Sequence, residues 1–284
     1  MDKYNRNYIL LIEKKDSTTL KVTLPFTIEF DIHRNSLSSA NVCSIRVYNL
    51  SPNNRSQIRK DQFDFGDLRT ISLLAGYGDN LSLAFKGNIN QAWSVREGNN
   101  MITQIESYDG GFAYVNAITN QSYISGTPQR SIIDSLANSL PGVSVGAIGN
   151  FTGQISRGNS YVGSTTDLLR DISGGGFFID NGKAHCIKDD ECLAGNIPLI
   201  NSKSGLLGTP VKEQTYINFD VLFEPSLKVG QLIKLESETA DHFNGTHKVL
   251  SLKHRGMISE AVCGSAITSV GLLPGVFTPI PEVS

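Results

Sequence analysis

The stretch HCIKDDEC (185–192) holds the densest group of side chains that could do chemistry: His185, Cys186, Asp189, Asp190, Glu191 and Cys192. Imidazole, thiolate and carboxylate all ligate zinc, but structural zinc takes two ligand pairs at CxxC- or HxxxH-like spacing. Cys186 and Cys192 stand too far apart for a knuckle, and the sequence offers no second pair. The plainer reading is a strand that ends in an acidic surface turn, with one buried cysteine. A disulfide between Cys186 and Cys192 could close across that turn, although a reducing cytoplasm disfavours it.

His242 and His247, with Asp241 beside them, flank Phe243-Asn244-Gly245. Such a trio could hold a metal or shuttle protons, yet the pair alternates with strand residues and Asn-Gly alone accounts for a turn. No Gly-x-Ser-x-Gly elbow raises the case for a hydrolase triad. Gly174-Gly175-Gly176 follows a helical pattern instead of preceding one, so it has the wrong polarity to cradle a phosphate at a helix N-terminus. Cys43 and Cys263 fall on strand patterns and read as small buried hydrophobes. The expectation is therefore no catalytic residue, no cofactor-binding residue and no metal ligand.

The bulk numbers bound the class. The chain has 284 residues, enough for two or three small domains, each with a core. Lys and Arg number 25 against 27 Asp and Glu, a net charge of −2, which argues against a dedicated nucleic-acid binder. A charged fraction of 18% with many Gly, Ser, Asn and Thr suits a β-rich protein that buries surface against partners. The opening MDKYNRNYILLIEKK lacks a signal-peptide layout. No stretch reaches the roughly 18–20 apolar residues that span a bilayer. The expectation is a soluble protein made in a cytoplasm, with its Asn-x-Ser/Thr triplets serving as turn asparagines.

What elements position these residues? Segments 7–13, 19–32, 42–48, 69–77, 81–95 and 100–108 read as strands, with turns at Asp79-Asn80 and Glu97-Gly98-Asn99-Asn100. Ser51-Pro52 reads as an N-cap followed by proline at the first position of a short helix, 52–60. Composition then shifts. Thr127-Pro128 opens a helix with apolar Ile132, Ile133, Leu136 and Leu140, and Ser164 to Asp167 resembles a capping box before Leu168, Leu169 and Ile172. FFIDNGKAHCI (177–187) reads as a hairpin about Asn181-Gly182. The β pattern returns at 217–223, 231–237, 246–254 and near 261–270.

The two ends look alike. VYNLSP (47–52) matches VLFEPS (221–226), FGDLRTISLL (65–74) matches KVGQLIKLE (228–236), and AFKGNINQAWSV (84–95) matches HFNGTHKVLSLK (242–253). The spacing from Pro52 to Gly87 exceeds that from Pro225 to Gly245 by 15 residues, about the helix plus its exit loop. The expected fold is mainly β with an α+β middle region: two similar small β-barrels flanking one or two small α/β modules. The expected domains are a first barrel, 1–108, with the inserted helix 52–60; middle modules, 109–205; a second barrel, 206–271; and an extended C-terminal arm, 272–284.

Residues 205–254, with Gly205-Leu-Leu-Gly-Thr-Pro210, Phe223-Glu-Pro-Ser-Leu-Lys-Val-Gly230 and Asn244-Gly-Thr-His-Lys-Val249, resemble the last barrel of baseplate hub proteins of contractile-tailed phages. IRVYNLSPNNRSQI (45–58) resembles the first barrel of that family, and TDLLRDISGGGFFID fits its small central modules. The final strand differs: AVCGSAITSVG (261–271) lacks the tryptophan often found there.

The resemblance implies a structural virion protein with no enzyme activity. It would be a homotrimer assembled in the host cytoplasm, with the tail tube protein above, the central spike below and other baseplate proteins around it. It would leave a channel for DNA, which passes without specific binding. It also implies a sixfold tube meeting a threefold spike, which three chains of two barrels each would bridge. Leu272, Leu273, Val276, Phe277 and Ile280 in the proline-marked arm are too apolar for water and are expected to dock on a neighbouring subunit or the spike. A carbohydrate-binding adhesin module and a tail-associated peptidoglycan hydrolase are the competing readings.

Overall fold

The computed structural model describes residues 3–37, 39–64, 66–262 and 264–282. Cys263 lies outside the described residues. The N-terminal part runs β1 (Arg6–Glu13), β2 (Thr19–Val22), β3 (Ile28–Asn35), β4 (Val42–Tyr48), α1 (Pro52–Ile58), β5 (Thr70–Tyr77), β6 (Asn80–Glu97) and β7 (Asn100–Tyr108). Alternate side chains turn to one core: Tyr8, Leu10 and Ile12 from β1, Ile28, Phe30 and Ile32 from β3, Cys43, Ile45 and Val47 from β4. The single strand expected over 19–32 is two strands, interrupted around Pro25, which has no N–H to give a ladder.

The short helix forms as its sequence dictates at one end and by a distant residue at the other. Ser51 accepts from the Asn54 N–H at 3.3 Å, Pro52 takes the first position, and Ile58 is the buried anchor. The C-terminal carbonyls are met by Arg69, which donates to Gln57 O at 2.7 Å, Ile58 O at 3.0 Å and Arg59 O at 3.1 Å. Asp67 holds that guanidinium at 2.7–2.8 Å. A cation at a helix C-terminus is also favoured by the macrodipole.

The middle region contains α2 (Gly111–Asn116), β8 (Ile118–Tyr123), α3 (Gln129–Asn138), β9 (Ser144–Ile148), β10 (Asn159–Ser164), α4 (Thr165–Ile172), β11 (Phe177–Asp180), β12 (Lys183–Cys186), β13 (Glu191–Leu193) and β14 (Leu199–Ile200). Strands β8 and β10 form a ribbon, and β11, β12 and β9 form a small sheet. Helices α3 and α4 close a core of Ile132, Ile133, Leu136, Leu169, Phe177 and Ile179. Ser164 caps α4 by accepting from the Asp167 N–H at 3.3 Å. The β11–β12 turn has φ of 53° at Asn181 and 75° at Gly182, the positive pair a tight hairpin requires.

The C-terminal part runs β15 (Leu206–Glu213), β16 (Tyr216–Leu222), β17 (Leu232–Leu235), β18 (Gly245–Ile258), β19 (Ala266–Pro274) and β20 (Thr278–Ile280). The last long strand starts later than the sequence pattern placed it, because β18 continues to Ile258. Among the described residues, the order β3-β4-β7-β6-β5 reappears as β15-β16-β19-β18-β17, the same connectivity twice. Helix α1 lies in the first copy's β4-to-β5 connection.

The expectation of two barrels needs one correction: among the described residues neither is closed. Thirteen strands join one antiparallel-dominated sheet, with the path β15-β16-β19-β18-β3-β4-β7-β6-β5-β1-β2 and β17 and β14 branching from β18. A strand has two edges. Strand β3 gives one to β4 and the other to β18, from Ile28 against Ile258 to Asn35 against Ser251. Nothing is left on β3 to pair with β1 or β2. The gap is bridged by side chains instead: Tyr8 OH donates to Phe26 O at 2.7 Å and Arg6 to the carbonyls of Met257 and Gly264.

Candidate functional site

The chemistry-bearing residues of 185–192 are structural in their surroundings. The His185 ring stacks on Phe178 with centroids 5.0 Å apart, and its Nδ1 accepts from the Ala147 N–H at 3.0 Å. Burial pushes its pKa down to about 4, so the ring is neutral. Cys186 and Cys192 are buried free thiols. Glu191 turns inward and accepts from the Asn150 N–H at 2.7 Å and the Lys188 N–H at 2.9 Å, tying two loops together. His247 contacts Phe243 O at 2.8 Å through Nε2, and His242 lies against the Phe243 ring in solvent. Among the described residues, no group of three or more His, Cys, Asp or Glu is placed to hold a metal ion.

The most concentrated electrostatics lie where the three parts of the chain meet. Arg34 on β3 and Asp180 at the end of β11 form a bidentate pair at 2.8 and 2.6 Å. Arg34 also donates to Leu227 O, ahead of β17, at 3.2 Å. Asn41 donates to Ile179 O at 2.9 Å and to Asp180 at 3.2 Å. Asp109, just past β7, accepts from the N–H groups of Asn181 and Gly182 and so caps the β11–β12 turn. Burial, with Asp180 nearby, raises the Asp109 pKa to about 7 against the pull of those N–H groups and Arg34. His254 belongs to the same region. Thr268 Oγ1 accepts from the Glu224 N–H at 2.9 Å and shares a hydrogen bond of 2.9 Å with His254 Nδ1. Burial and the Arg34 charge push the His254 pKa down to about 3. Sequence inspection missed this node, because no local motif marks residues so far apart.

The expected docking residues separate. Leu272 is fully buried in β19, and Leu273 is half-buried on the same strand. Ile280 is buried in β20, which runs parallel to β13 of the same chain. Phe277 is half-buried with Lys248 Nζ 5.6 Å from its ring centre. Val276 alone stands in water, 96% exposed. Residues 278–282 are thus laid back on their own chain, where Glu282 pairs with Lys183 of the middle region and, at 3.2 Å, with Lys228 ahead of β17. The physical reason is β13, a short strand that needs a partner. Apolar side chains also reach the surface elsewhere. Ile118 and Val162 on the β8–β10 ribbon are both more than half exposed.

The model of a family described as "Baseplate hub gp41" matches residues 11–256. No curated protein matches the chain. Among solved structures, the 43 kDa tail protein of prophage MuSo2 from Shewanella oneidensis is similar at TM-score 0.63 and 8% identity, covering 95% of this chain and 97% of that one. The tail protein from Neisseria meningitidis MC58 gives TM-score 0.62 and 10% identity, over 97% of this chain and 99% of that one. The E. coli c3393 protein gives TM-score 0.57 and 9% identity, over 90% and 76%. It is described as a type VI secretion component with structural similarity to T4 tail proteins gp27 and gp5. At these identities the likeness is one of fold.

Proposed function

The chain belongs to the baseplate hub gp41 family, and we propose that it works as the central connector of a phage tail baseplate, a structural part and not an enzyme. In this reading three copies form the hub. The tail tube protein binds above, the central spike below, and other baseplate proteins around the rim. The genome passes along the axis on its way out of the virion. The particle's components assemble in the host cytoplasm.

The observation that carries the reading is the repeated strand order within one sheet. Each chain offers two similar units, within 1–108 and 206–271, so three chains present six. That meets a sixfold tube and a threefold spike with one gene product. The net charge of −2 supports passage of a polyanion without capture, since each phosphate neutralised by a basic wall would add affinity through counterion release.

Native mass spectrometry of the purified protein, alone and with the tube and spike proteins of the same particle, tests this. Three copies bound to both neighbours are expected. A stable hexamer, or binding to neither neighbour, would overturn the proposal. Clearing of cell walls in a zymogram would instead favour a hydrolase.

A further inference from the structure

The sheet contains one filled junction between its two similar halves and both sides of a second, unfilled one. In β18, Gly245 to Lys248 pair with β17, the strand bulges between Val249 and Ser251, and Ser251 to Ile258 then pair with β3. Strand β6 is built the same way. Asn80 to Asn88 pair with β5, and the strand bulges between Ile89 and Gln91. Beyond the bulge, among the described residues, no strand lies on that side, and only Ala92 is engaged, by a bridge to Lys60. The counterpart of β3 in the C-terminal half is β15, whose outer edge ends the sheet. Six strands separate β15 from β6 in hydrogen-bonding order, so the two do not meet within one chain.

We infer that β15 of one copy adds to the free end of β6 in a second copy, with Val211 against Val95. The register follows from the filled junction. Aligning the halves on their bulges sets Gln91 on Ser251, and aligning the β4 and β16 ladders sets Ser44 on Asn218. In the filled junction Arg255 pairs with Asp31 and His254 with Ile32. The counterparts are Val95 with Val211 and Ser94 with Lys212. Val95 is 41% exposed and Val211 55%, two β-branched side chains in water that a cross-strand pair would cover.

The main chain agrees. Ala92 exchanges both its hydrogen bonds with Lys60, so Ser94 and Arg96 direct theirs to the same side, where no described residue takes them. The two-residue turn after Glu213 makes Glu213 and Tyr216 the closing pair, which turns the N–H and C=O of Lys212 outward. The second junction is shorter than the first, because the exit of α1 occupies the Ala92 rung and Pro210 has no N–H. An open edge of this kind is a template for another strand.

This inference rests on the reading of the chain as a self-assembling hub. The test is disulfide trapping with Val95→Cys and Val211→Cys under mild oxidant, read on non-reducing gels with peptide mapping. The double variant should give a ladder of covalent multimers. An equal mixture of the two single variants should give dimers, and each single variant alone should stay uncrosslinked. Multiple copies by native mass with no Val95–Val211 linkage would overturn this junction and leave the hub reading standing. A single-copy species at every concentration, without crosslinks, would overturn both.

Discussion

Arg34 and Asp180, 146 positions apart in sequence, meet as a bidentate ion pair with side chains 1% and 5% exposed. The pair fastens the middle region to β3, while the same guanidinium reaches Leu227 O in the C-terminal part. One side chain thus touches all three parts of the molecule. Such a pair is worth most as a lock, because removing one partner strands a buried charge.

Arg34→Met is expected to cost roughly 3–5 kcal/mol by stranding Asp180, whereas Arg34→Met with Asp180→Leu should recover most of the loss. Denaturant unfolding of both variants checks this. Additive losses in the double variant would contradict the pairing.

Helix α1 is expected to depend on Arg69 more than on its own sequence, since Arg69 meets three of its terminal carbonyls. Arg69→Met should cost roughly 1–3 kcal/mol through acceptors left without donors. Hydrogen exchange should show protection lost between 54 and 59, with β1 and β5 unchanged. Uniform loss across the N-terminal part would show that Arg69 acts elsewhere.

Stability should fall on the acid side of neutrality. His185 and His254 have folded pKa values of about 4 and about 3 against an ordinary 6.5. The unfolded chain therefore binds more protons, and stability is lost as pH drops below about 6.5. Asp109 acts in the opposite sense. Its folded value of about 7 lies above the ordinary 3.8, so its contribution is greatest in acid and is lost as pH rises through about 7. His254→Gln should flatten the acid limb by up to about 1.4 kcal/mol per pH unit between pH 4 and 6. Asp109→Asn should steepen it. Unfolding midpoints measured at several pH values in that range decide both.

The C-terminal segment should prove to be two things. Deleting 277–284 removes buried Ile280, the partner of β13 and the Glu282 ion pairs, and should lower subunit stability by roughly 2–4 kcal/mol. Val276→Asp, at a fully solvated tip, should leave melting unchanged and weaken assembly alone. An unchanged melting temperature after the deletion would show that the segment is not part of the subunit's core.

What the sequence determined by itself was local. Alternation marked the strands, because a half-buried strand repeats every two residues. Ser51-Pro52, Ser164 with Asp167, and Asn181-Gly182 marked helix starts and a hairpin turn, because caps and positive φ are satisfied within a few residues. The matched segments at the two ends marked a repeat, and the structure returns it as one strand order used twice.

What only the tertiary structure decided was which neighbour each edge and each buried charge finds. Alternation tells which face of β3 is inward, and it is silent on whether the second edge closes on β1 or joins β18. Edges pair through backbone groups that every residue but proline carries alike. The same holds for Arg34 with Asp180, for Arg69 at the end of α1, and for β20 on β13. Each is a contact that no local pattern of residues announces. Burial turned them into the joints of the molecule.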